Sequence, residues 1–478
     1  MRYNRGNSRF QQSFLSIEDQ ISKGHFIRII DAICEDFCTS IQVAKGIKDT
    51  GRKAYHPADL LKILVYGYFN GISSSRKLER ETQRNIELKW LTSNVVPDHK
   101  TISDFRKDNP VLVDGLFKYL IIKLKEEGLI TGRSIGVDGT KVKAYASKEI
   151  SIKMISEKLQ DLDKQAEKYL TKLDAIDQAE DEVEELERKK AELERQLDVL
   201  ASKKKEYEKL GAYLKTIEKE RESVTDPESS MVRGRTGSYW GYNIQSAVDT
   251  TYHFITAIAV SSQTNDLGLL PAMVAASEEV TQKKAEECIA DAGYYKINDL
   301  ETLEQGGTQC YVALHKAPSQ IKDELHKISF TYDQKDKVYH CSEGKILVPF
   351  TNKKRAHGKV AKAYKGTQCH LCAIREKCTT AEQRTIHRNE NQDWIDRYFK
   401  KMNGQKGKEK LIQRKSVVEH PFGTMKYAMG QIPLLLRSKK KVRTEINLYA
   451  IGYNLKRYFN LRASENGNLK KRTVRLAA

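Results

Sequence analysis

Residues Arg133–Tyr145 read RSIGVDGTKVKAY. Apolar and polar residues alternate in it, which is the pattern of a half-buried β-strand. Asp138 stands near its centre, between Val137 and Gly139. Aspartate is depleted in strands, and burying a lone carboxylate is costly. A turn, a buried ion pair or a metal ligand would each explain Asp138.

A second aspartate follows another apolar stretch. The segment CIADAGY (288–294) predicts a short buried strand that ends at Asp291 and is followed by two small residues. Two neighbouring strands that each end in aspartate can hold a divalent cation between them, because Mg²⁺ takes only one or two carboxylates besides water and phosphate oxygens. Taken singly, such residues are more often strand ends or caps. The pair favours a magnesium site.

A third carboxylate lies late in the chain, in QRKSVVEHPFGTMKYAMG (413–430), a probable helix. Lys415 precedes Glu419 by four residues and Lys426 follows it by seven, so we expect all three on one helix face. Such a charge run is often a surface ion-pair ladder. Two aspartates on strands and a glutamate on a later helix, surrounded by cations, instead indicate a two-metal phosphoryl-transfer site.

The composition is that of a globular protein with an excess of positive charge. Of the 478 residues, 39% are hydrophobic and 31% are charged, and the formal net charge is +19. No apolar run reaches the length of a membrane span and the basic N-terminus lacks a signal-peptide core, so we expect a cytoplasmic protein without a membrane partner. The stretch 401–478 holds 19 Lys or Arg against 4 acidic residues. This asymmetry favours a nucleic-acid partner over a merely soluble basic surface.

The pattern predicts three regions. Residues 1–130 read as short capped helices, either a DNA-binding module of helix-turn-helix type or an ordinary bundle. Residues 131–462 alternate strands and helices, the order of a mixed α/β sheet with a ribonuclease H-like fold. Residues 463–478 form a basic tail. In the helical region we expect these basic side chains to be exposed: Arg76, Lys77, Arg80, Arg84, Lys100 and Arg106.

Two insertions interrupt the predicted catalytic region. Between residues 152 and 223, apolar residues spaced by three and four predict a coiled coil. It must fold back as a hairpin near 174–181, because the strands that flank it lie in one sheet. Between residues 319 and 391 the periodicity weakens.

The second insertion contains cysteines that suggest a metal site. Cys369 and Cys372 have the spacing of half a zinc knuckle, and Cys378 with Cys341 or a nearby histidine would complete four ligands. The alternative is a group of reduced structural thiols. In a large chain without a secretory signal, disulfides are less expected.

Several of these motifs together resemble a known family. GVDGT (136–140), ADAGY (290–294) and VVEHPFGTMK (417–426) are similar to the three catalytic blocks of DDE transposases of bacterial insertion sequences. HPADLLKILVYGYFNGISSSRKLE (56–79) and PDHKTISDFRK (97–107) resemble the helical region that precedes the catalytic core in that family.

The resemblance implies a function and a set of residues. The acidic triad falls on Asp138, Asp291 and Glu419, and two Mg²⁺ or Mn²⁺ ions held there would support DNA cleavage and strand transfer. The family's tyrosine and arginine, seven and four residues before the glutamate, are here Ile412 and Lys415. The implied partners are element ends and target DNA, bound by a homodimer. The residues expected to bind DNA are Arg414, Lys415, Lys426, Lys439, Lys440, Lys441 and Arg443.

Two alternatives remain beside the enzyme. A catalytically inactive, transposase-derived DNA-binding protein would keep the basic surfaces, although the intact triad argues against it. A structural coiled-coil protein would not explain strands that carry Asp138 and Asp291. Three other aspartates have turn or cap contexts and are expected to be structural: Asp226, Asp249 and Asp266.

Overall fold

The computed structural model describes residues 16–42, 54–146, 149–177, 183–234, 237–314, 330–354, 360–389, 391–429 and 432–467. Within them the chain is a mixed α/β protein with a mixed sheet, which confirms the predicted fold class at that level. The helices are α1 (Ile27–Ser40), α2 (Pro57–Phe69), α3 (Ser75–Arg84), α4 (Ile86–Leu91), α5 (His99–Asp108), α6 (Pro110–Glu126), α7 (Ile152–Asp177), α8 (Val183–Thr216), α9 (Leu270–Thr281), α10 (Ile297–Gln305), α11 (Arg375–Cys378), α12 (Gln392–Asn403), α13 (Gln405–Gly423) and α14 (Lys439–Gly467). The strands are β1 (Ser134–Lys143), β2 (Glu149–Ser151), β3 (Arg221–Ser223), β4 (Ser230–Gly234), β5 (Gly237–Asp249), β6 (Ile255–Ser261), β7 (Glu287–Ala290), β8 (Gln309–Val312), β9 (Thr331–Asp333), β10 (Val338–His340), β11 (Ile346–Lys354), β12 (Val360–Gly366) and β13 (Thr385–Asn389).

Local capping sets where the N-terminal helices begin. Pro57 occupies the first turn of α2, where its missing N–H costs nothing, and the His56 side chain accepts a hydrogen bond from the Ala58 amide. Helix α5 is capped by Asp98, whose carboxylate accepts from the Thr101 amide at 2.9 Å.

The N-terminal helices do not form a core of their own. Helices α2 and α6 pack against α14, and their apolar side chains join one continuous core with it. Arg106 lies inside this core with 2% of its surface exposed, so the prediction of an exposed Arg106 is wrong. Its guanidinium donates to the Ser73 carbonyl at 2.7 Å and lies 4.0 Å from the buried carboxylate of Glu445. A charge buried so deeply must be paired, which ties α5 to α14.

The central sheet has the order β4-β5-β1-β7-β8, with β6 paired to β5. Strands β1, β7 and β8 are parallel, whereas β5 is antiparallel to β1, β4 and β6. The parallel strands are joined through α9 and α10, as parallel connections require. Buried residues of β1, β7 and β8 form a second core beneath these helices.

Helix α13 crosses this sheet at β1. A Cβ atom on Gly136 would lie 2.6 Å from Cγ1 of Val418 and 3.0 Å from Cγ1 of Val417, so only glycine allows the helix to approach so closely. Both valines are fully buried. The contact places the C-terminal part of α13 beside Asp138.

The first insertion consists of α7 and α8, entered and left through the paired strands β2 and β3. The two helices run antiparallel. Lys204 lies 2.6 Å from Asp163, and Ile155 approaches Gly211 near the base. Residues 178–182, within the predicted hinge, lie outside the described residues. Coiled-coil supercoiling of the pair stays a prediction.

The second insertion contains regular structure that the sequence did not reveal. Strands β9–β13 form an antiparallel sheet of order β13-β12-β11-β10-β9, called here the second sheet. Residues 315–329 lie outside the described residues. The second sheet packs on a small separate core of five buried residues: Phe330, Tyr339, Leu347, Tyr364 and Ile386.

Helix α14 continues to Gly467, so the first residues of the predicted tail are helical, and residues 468–478 lie outside the described part of the chain. Among the described residues, no helix combines the length and the apolar character needed to cross a membrane.

Candidate active site

Parallel pairing of β1 with β7 brings two of the predicted carboxylates together. The last registered pair of these strands is Gly136 with Ile289, and Asp138 and Asp291 each follow two residues later. Parallel strands lie about 4.8 Å apart, so the two aspartates are neighbours at the same end of the sheet. Asp291 also accepts a hydrogen bond from the Gly293 amide at 2.8 Å, which fixes the turn after β7.

The electrostatics of Asp138 reflect this crowding. Burial and then the nearby Asp291 carboxylate raise the pKa of Asp138 to about 7, with a further contribution from Asp266. The Gly139 amide and the Arg414 guanidinium act in the opposite direction. Like charges in a partly buried site disfavour ionisation. Asp138, Asp291 and Asp266 therefore form one electrostatic group.

Asp266 is the site residue that sequence reasoning missed. It lies in the loop between β6 and α9, and its Oδ1 accepts hydrogen bonds from Asn243 Nδ2 and Gln245 Nε2, both at 2.8 Å. These amides are almost completely buried on β5. Two buried polar side chains at i and i+2 of an otherwise apolar strand require a partner. That pattern, GYNIQSAV (241–248), was the available signal for Asp266.

Two glycines leave room for this group. A Cβ on Gly139 would lie 2.4 Å from Gln245 Nε2 and 2.7 Å from Asp266 Oδ1. A Cβ on Gly293 would lie 3.0 Å from Asp291 Oδ1 and 3.2 Å from Asp266 Oδ2. The Tyr294 hydroxyl donates to Gln245 Oε1 and completes the hydrogen-bonded network. Any side chain at Gly139 would displace the carboxylate cluster.

Glu419 lies on α13 at the edge of the site rather than within it. Its side chain is 62% exposed, and its carboxylate is 3.8 Å from the Arg414 guanidinium. Arg414 is only 16% exposed and also acts electrostatically on Asp138. The third predicted carboxylate is thus paired with a cation that also interacts with the aspartate group.

The neighbouring lysines differ from one another. Lys426 donates to Thr140 Oγ1 at 2.5 Å, which places its ammonium group two residues from Asp138 on β1. It lies after α13, in a segment of π-helix. Lys415 is exposed to solvent. The sequence placed Lys415, Glu419 and Lys426 on one helix face, but the cation that the structure brings to the carboxylates from α13 is Arg414.

The basic residues at the start of α14 also differ. Lys439 and Lys440 are exposed and Lys441 is half-buried. Arg443 lies 2.9 Å from the Asp114 carboxylate of α6. The four cysteines of the second insertion lie apart from this site, around one cavity beside the second sheet.

The residues fit a divalent cation in their chemistry. Three aspartates converge, and hard carboxylate oxygens are the ligands that Mg²⁺ prefers. Within the described residues, however, no three His, Cys, Asp or Glu side chains already stand where they could hold a metal ion. Asp226 and Asp249, by contrast, are structural. Asp226 accepts from the Tyr242 hydroxyl, and Asp249 accepts from the amides of residues 131 and 132.

Comparisons with known proteins agree with the resemblance seen in the sequence. Residues 15–108 match the family described as Transposase domain (DUF772), and residues 340–459 match the family described as Transposase DDE domain. A search of curated proteins found no match. Among solved structures, the cryo-EM structure of a piggyBac transposase synaptic complex with hairpin DNA aligns over 94% of this chain and 75% of that chain, with 11% identity and a TM-score of 0.32. Similarity at that level does not establish a shared fold.

The two family matches lie on either side of the strands that carry Asp138 and Asp291, and the second includes Glu419. Two separate parts of the chain thus match transposase domain families, which is consistent with a transposase of the DDE type.

Proposed function

We propose that the protein is a DNA transposase that cleaves and joins DNA strands by metal-dependent phosphoryl transfer at Asp138, Asp291 and Glu419. The observation that carries this proposal is the pairing of β1 with β7, which sets two aspartates side by side in a chain with a Transposase DDE domain. The strand order β6-β5-β1-β7-β8, with an antiparallel hairpin beside three parallel strands, is the order expected of a ribonuclease H-like core.

The proposed division of labour follows from the contacts of each side chain. Asp138 and Asp291 would hold divalent cations, either Mg²⁺ or Mn²⁺, with Asp266 as an additional carboxylate on the same side. Such ions supply charge stabilisation for the scissile phosphate and for the attacking and leaving oxygens. Asn243 and Gln245 fix Asp266 through their amides, so this oxygen donor is held in place before any ion arrives.

Glu419 and Arg414 would act as a pair that rearranges. Arg414 neutralises Glu419 in this structure, and a DNA phosphate is the natural competitor for its guanidinium. When Arg414 turns to the phosphate, Glu419 becomes available to the aspartate site. Lys426, held by Thr140, would contribute a second cation two residues from Asp138 along β1.

The test is strand cleavage by site variants. Asp138→Asn, Asp291→Asn and Glu419→Gln remove one charge each while conserving shape. The substrate is supercoiled plasmid that carries the chromosomal segments flanking the coding sequence. The wild type should nick and join strands with Mg²⁺ or Mn²⁺ and not with Ca²⁺, and the variants should not. Asp198→Asn, at an exposed position on α8, is the matched control.

The alternative, a catalytically inactive DNA-binding protein derived from a transposase, predicts another result. Such a protein would bind DNA with the usual salt dependence but would give no nicking with any divalent cation. Equal nicking by the wild type and all three variants would instead reject the proposed site. Sedimentation of the protein–DNA complex measures the number of chains, for which the proposal expects two.

A further inference from the structure

We propose that Cys341, Cys369, Cys372 and Cys378, called here the cysteine cluster, bind one structural zinc ion that stabilises the second sheet. This site is separate from the carboxylate site and does not depend on the proposed function.

The fold brings the four thiols together from three places in the sequence. Cys341 follows β10 and opens the turn to β11, where its amide donates to the Lys345 carbonyl at 2.9 Å. Cys369 begins a single 3-10 turn after β12, and the Cys372 amide donates to the Cys369 carbonyl at 3.2 Å. Cys378 ends the short helix α11. All four line one pocket beside the second sheet.

One sulfur of the cluster has a backbone partner and closely packed surroundings. The Sγ atom of Cys369 accepts a hydrogen bond from the Arg384 amide at 3.5 Å. A Cβ on Gly366 would lie 2.4 Å from that sulfur, so only glycine admits Cys369 in this position.

The second sheet also needs a cross-link. Its own core has only the five buried residues given above, and it is separate from the two large cores of the molecule. A core of that size leaves a small unit marginally stable, and such units commonly acquire a metal or disulfides. Cys341 and Cys378 themselves pack against this small core. A zinc ion would join the β10–β11 turn to the segment between β12 and β13.

The thiols are free in this structure, and no three of the described ligand-type side chains are already in metal-binding positions. Zinc binds thiolates, so coordination requires loss of the thiol protons and a closing movement of the side chains. The turns at Cys341 and Cys369 are closed by hydrogen bonds between backbone atoms, so they can remain in place during such a change. Four sulfur ligands at about 2.3 Å would then surround the ion tetrahedrally.

The first experiment measures metal in the full chain purified without chelator under reducing conditions. We expect about one zinc ion per chain. Replacement by Co²⁺ should give the intense visible absorption of tetrahedral thiolate coordination. Cys372→Ser should lose most of the zinc, whereas Cys310→Ala should retain it. Cys310 is the matched control because its sulfur also lies close to another thiol, 3.3 Å from that of Cys288, but outside the cysteine cluster.

The second experiment needs no variant. A zinc-selective chelator added to the wild type in the presence of excess Mg²⁺ should increase hydrogen exchange in β11 and β12 and leave β1 and β5 unchanged. Added zinc should reverse the effect. Zinc-free native protein in which the four thiols of the cysteine cluster react with a thiol reagent, or in which these cysteines form disulfides, would overturn the proposal. Strand cleavage lost in the variants of the carboxylate site, with zinc content intact, would leave this inference standing.

Discussion

Gly136 on β1 lies directly against Val418 on α13: a Cβ atom at residue 136 would be only 2.6 Å from Cγ1 of Val418. Because Glu419 is the next residue, this one contact sets the distance between the glutamate and Asp138. Gly136→Ala should push α13 away from the sheet and cost about 1–3 kcal/mol of unfolding free energy, as overpacking does. The rate of strand cleavage should fall even under conditions in which the variant is still fully folded.

Val418→Ala removes the atoms that clash and should partly rescue Gly136→Ala. A double-mutant cycle by urea denaturation measures the coupling. Additive effects of the two substitutions would show that the helix does not rest on this glycine.

Asp266→Asn tests whether the missed carboxylate belongs to the metal site. The Oδ1 atom of Asp266 accepts hydrogen bonds from two side-chain amides, and asparagine keeps an oxygen in that position. The substitution therefore removes the negative charge but conserves the packing. We expect Mn²⁺ affinity, measured by electron paramagnetic resonance, and strand cleavage to fall about 10–100-fold, as for other supporting ligands. A thermal melt should change little. Unaltered Mn²⁺ affinity would make Asp266 a structural residue after all.

The lysines at the start of α14 should account for part of the DNA affinity. Replacement of Lys439, Lys440 and Lys441 by Ala should weaken binding to all sequences and flatten the salt dependence. Each lost phosphate contact lowers the slope by about 0.9. Arg443→Ala is the internal comparison. Because Arg443 pairs with Asp114, its loss should affect the slope less. Fluorescence anisotropy over a salt series measures both, and equal slopes for wild type and triple variant would exclude this surface.

Arg106→Met should destabilise the whole chain. Glu445 would stay buried without its cation, while still accepting the amides of residues 435 and 436. Breaking a buried pair from one side costs about 3–5 kcal/mol. Arg84→Ala, at an exposed ion pair in α3, should stay within about 0.5 kcal/mol of the wild type. Urea denaturation distinguishes the two, and similar midpoints would mean that the buried pair contributes little.

The hairpin of α7 and α8 should be removable. Ser151 and Arg221 are registered partners, so residues 152–220 can be replaced by Asn-Gly, the residues of a tight two-residue turn. We expect the central sheet to keep its hydrogen-exchange protection in β1 and β5. Loss of protection there would show that the insertion supports the core.

The sequence was sufficient for strands whose residues carry a strong local signal. Small residues beside Asp138 and Asp291, within apolar stretches, located both strands that pair in the site. The second sheet escaped prediction because the lysines of β12, at residues 362 and 365, are three residues apart and break the two-residue period of a half-buried strand, and because β9 and β10 are only three residues long. Such short strands acquire their structure from long-range pairing.

Individual charges were harder to assign. Arg106 was expected at the surface because arginine is rarely buried, and only the apposition of α5 and α14, far apart in the sequence, supplies its partner. Asp266 lies in a turn-like stretch of sequence, where an aspartate is as easily explained by helix capping as by a role in the site. The buried amides of Asn243 and Gln245 indicate that a polar partner is needed, but only the fold shows that this partner is Asp266.

The shared core of α2 and α14 has a consequence for biosynthesis. Between Phe69, where α2 ends, and Lys439, where α14 begins, lie about 370 residues. At 5–20 residues per second, a ribosome needs on the order of 20–70 s to make them. During that time the apolar face of α2 is not yet covered by α14, and chaperones can bind to it. A premature stop before α14 would leave that face uncovered permanently, so such a product should be recognised as misfolded even though its carboxylate strands are complete.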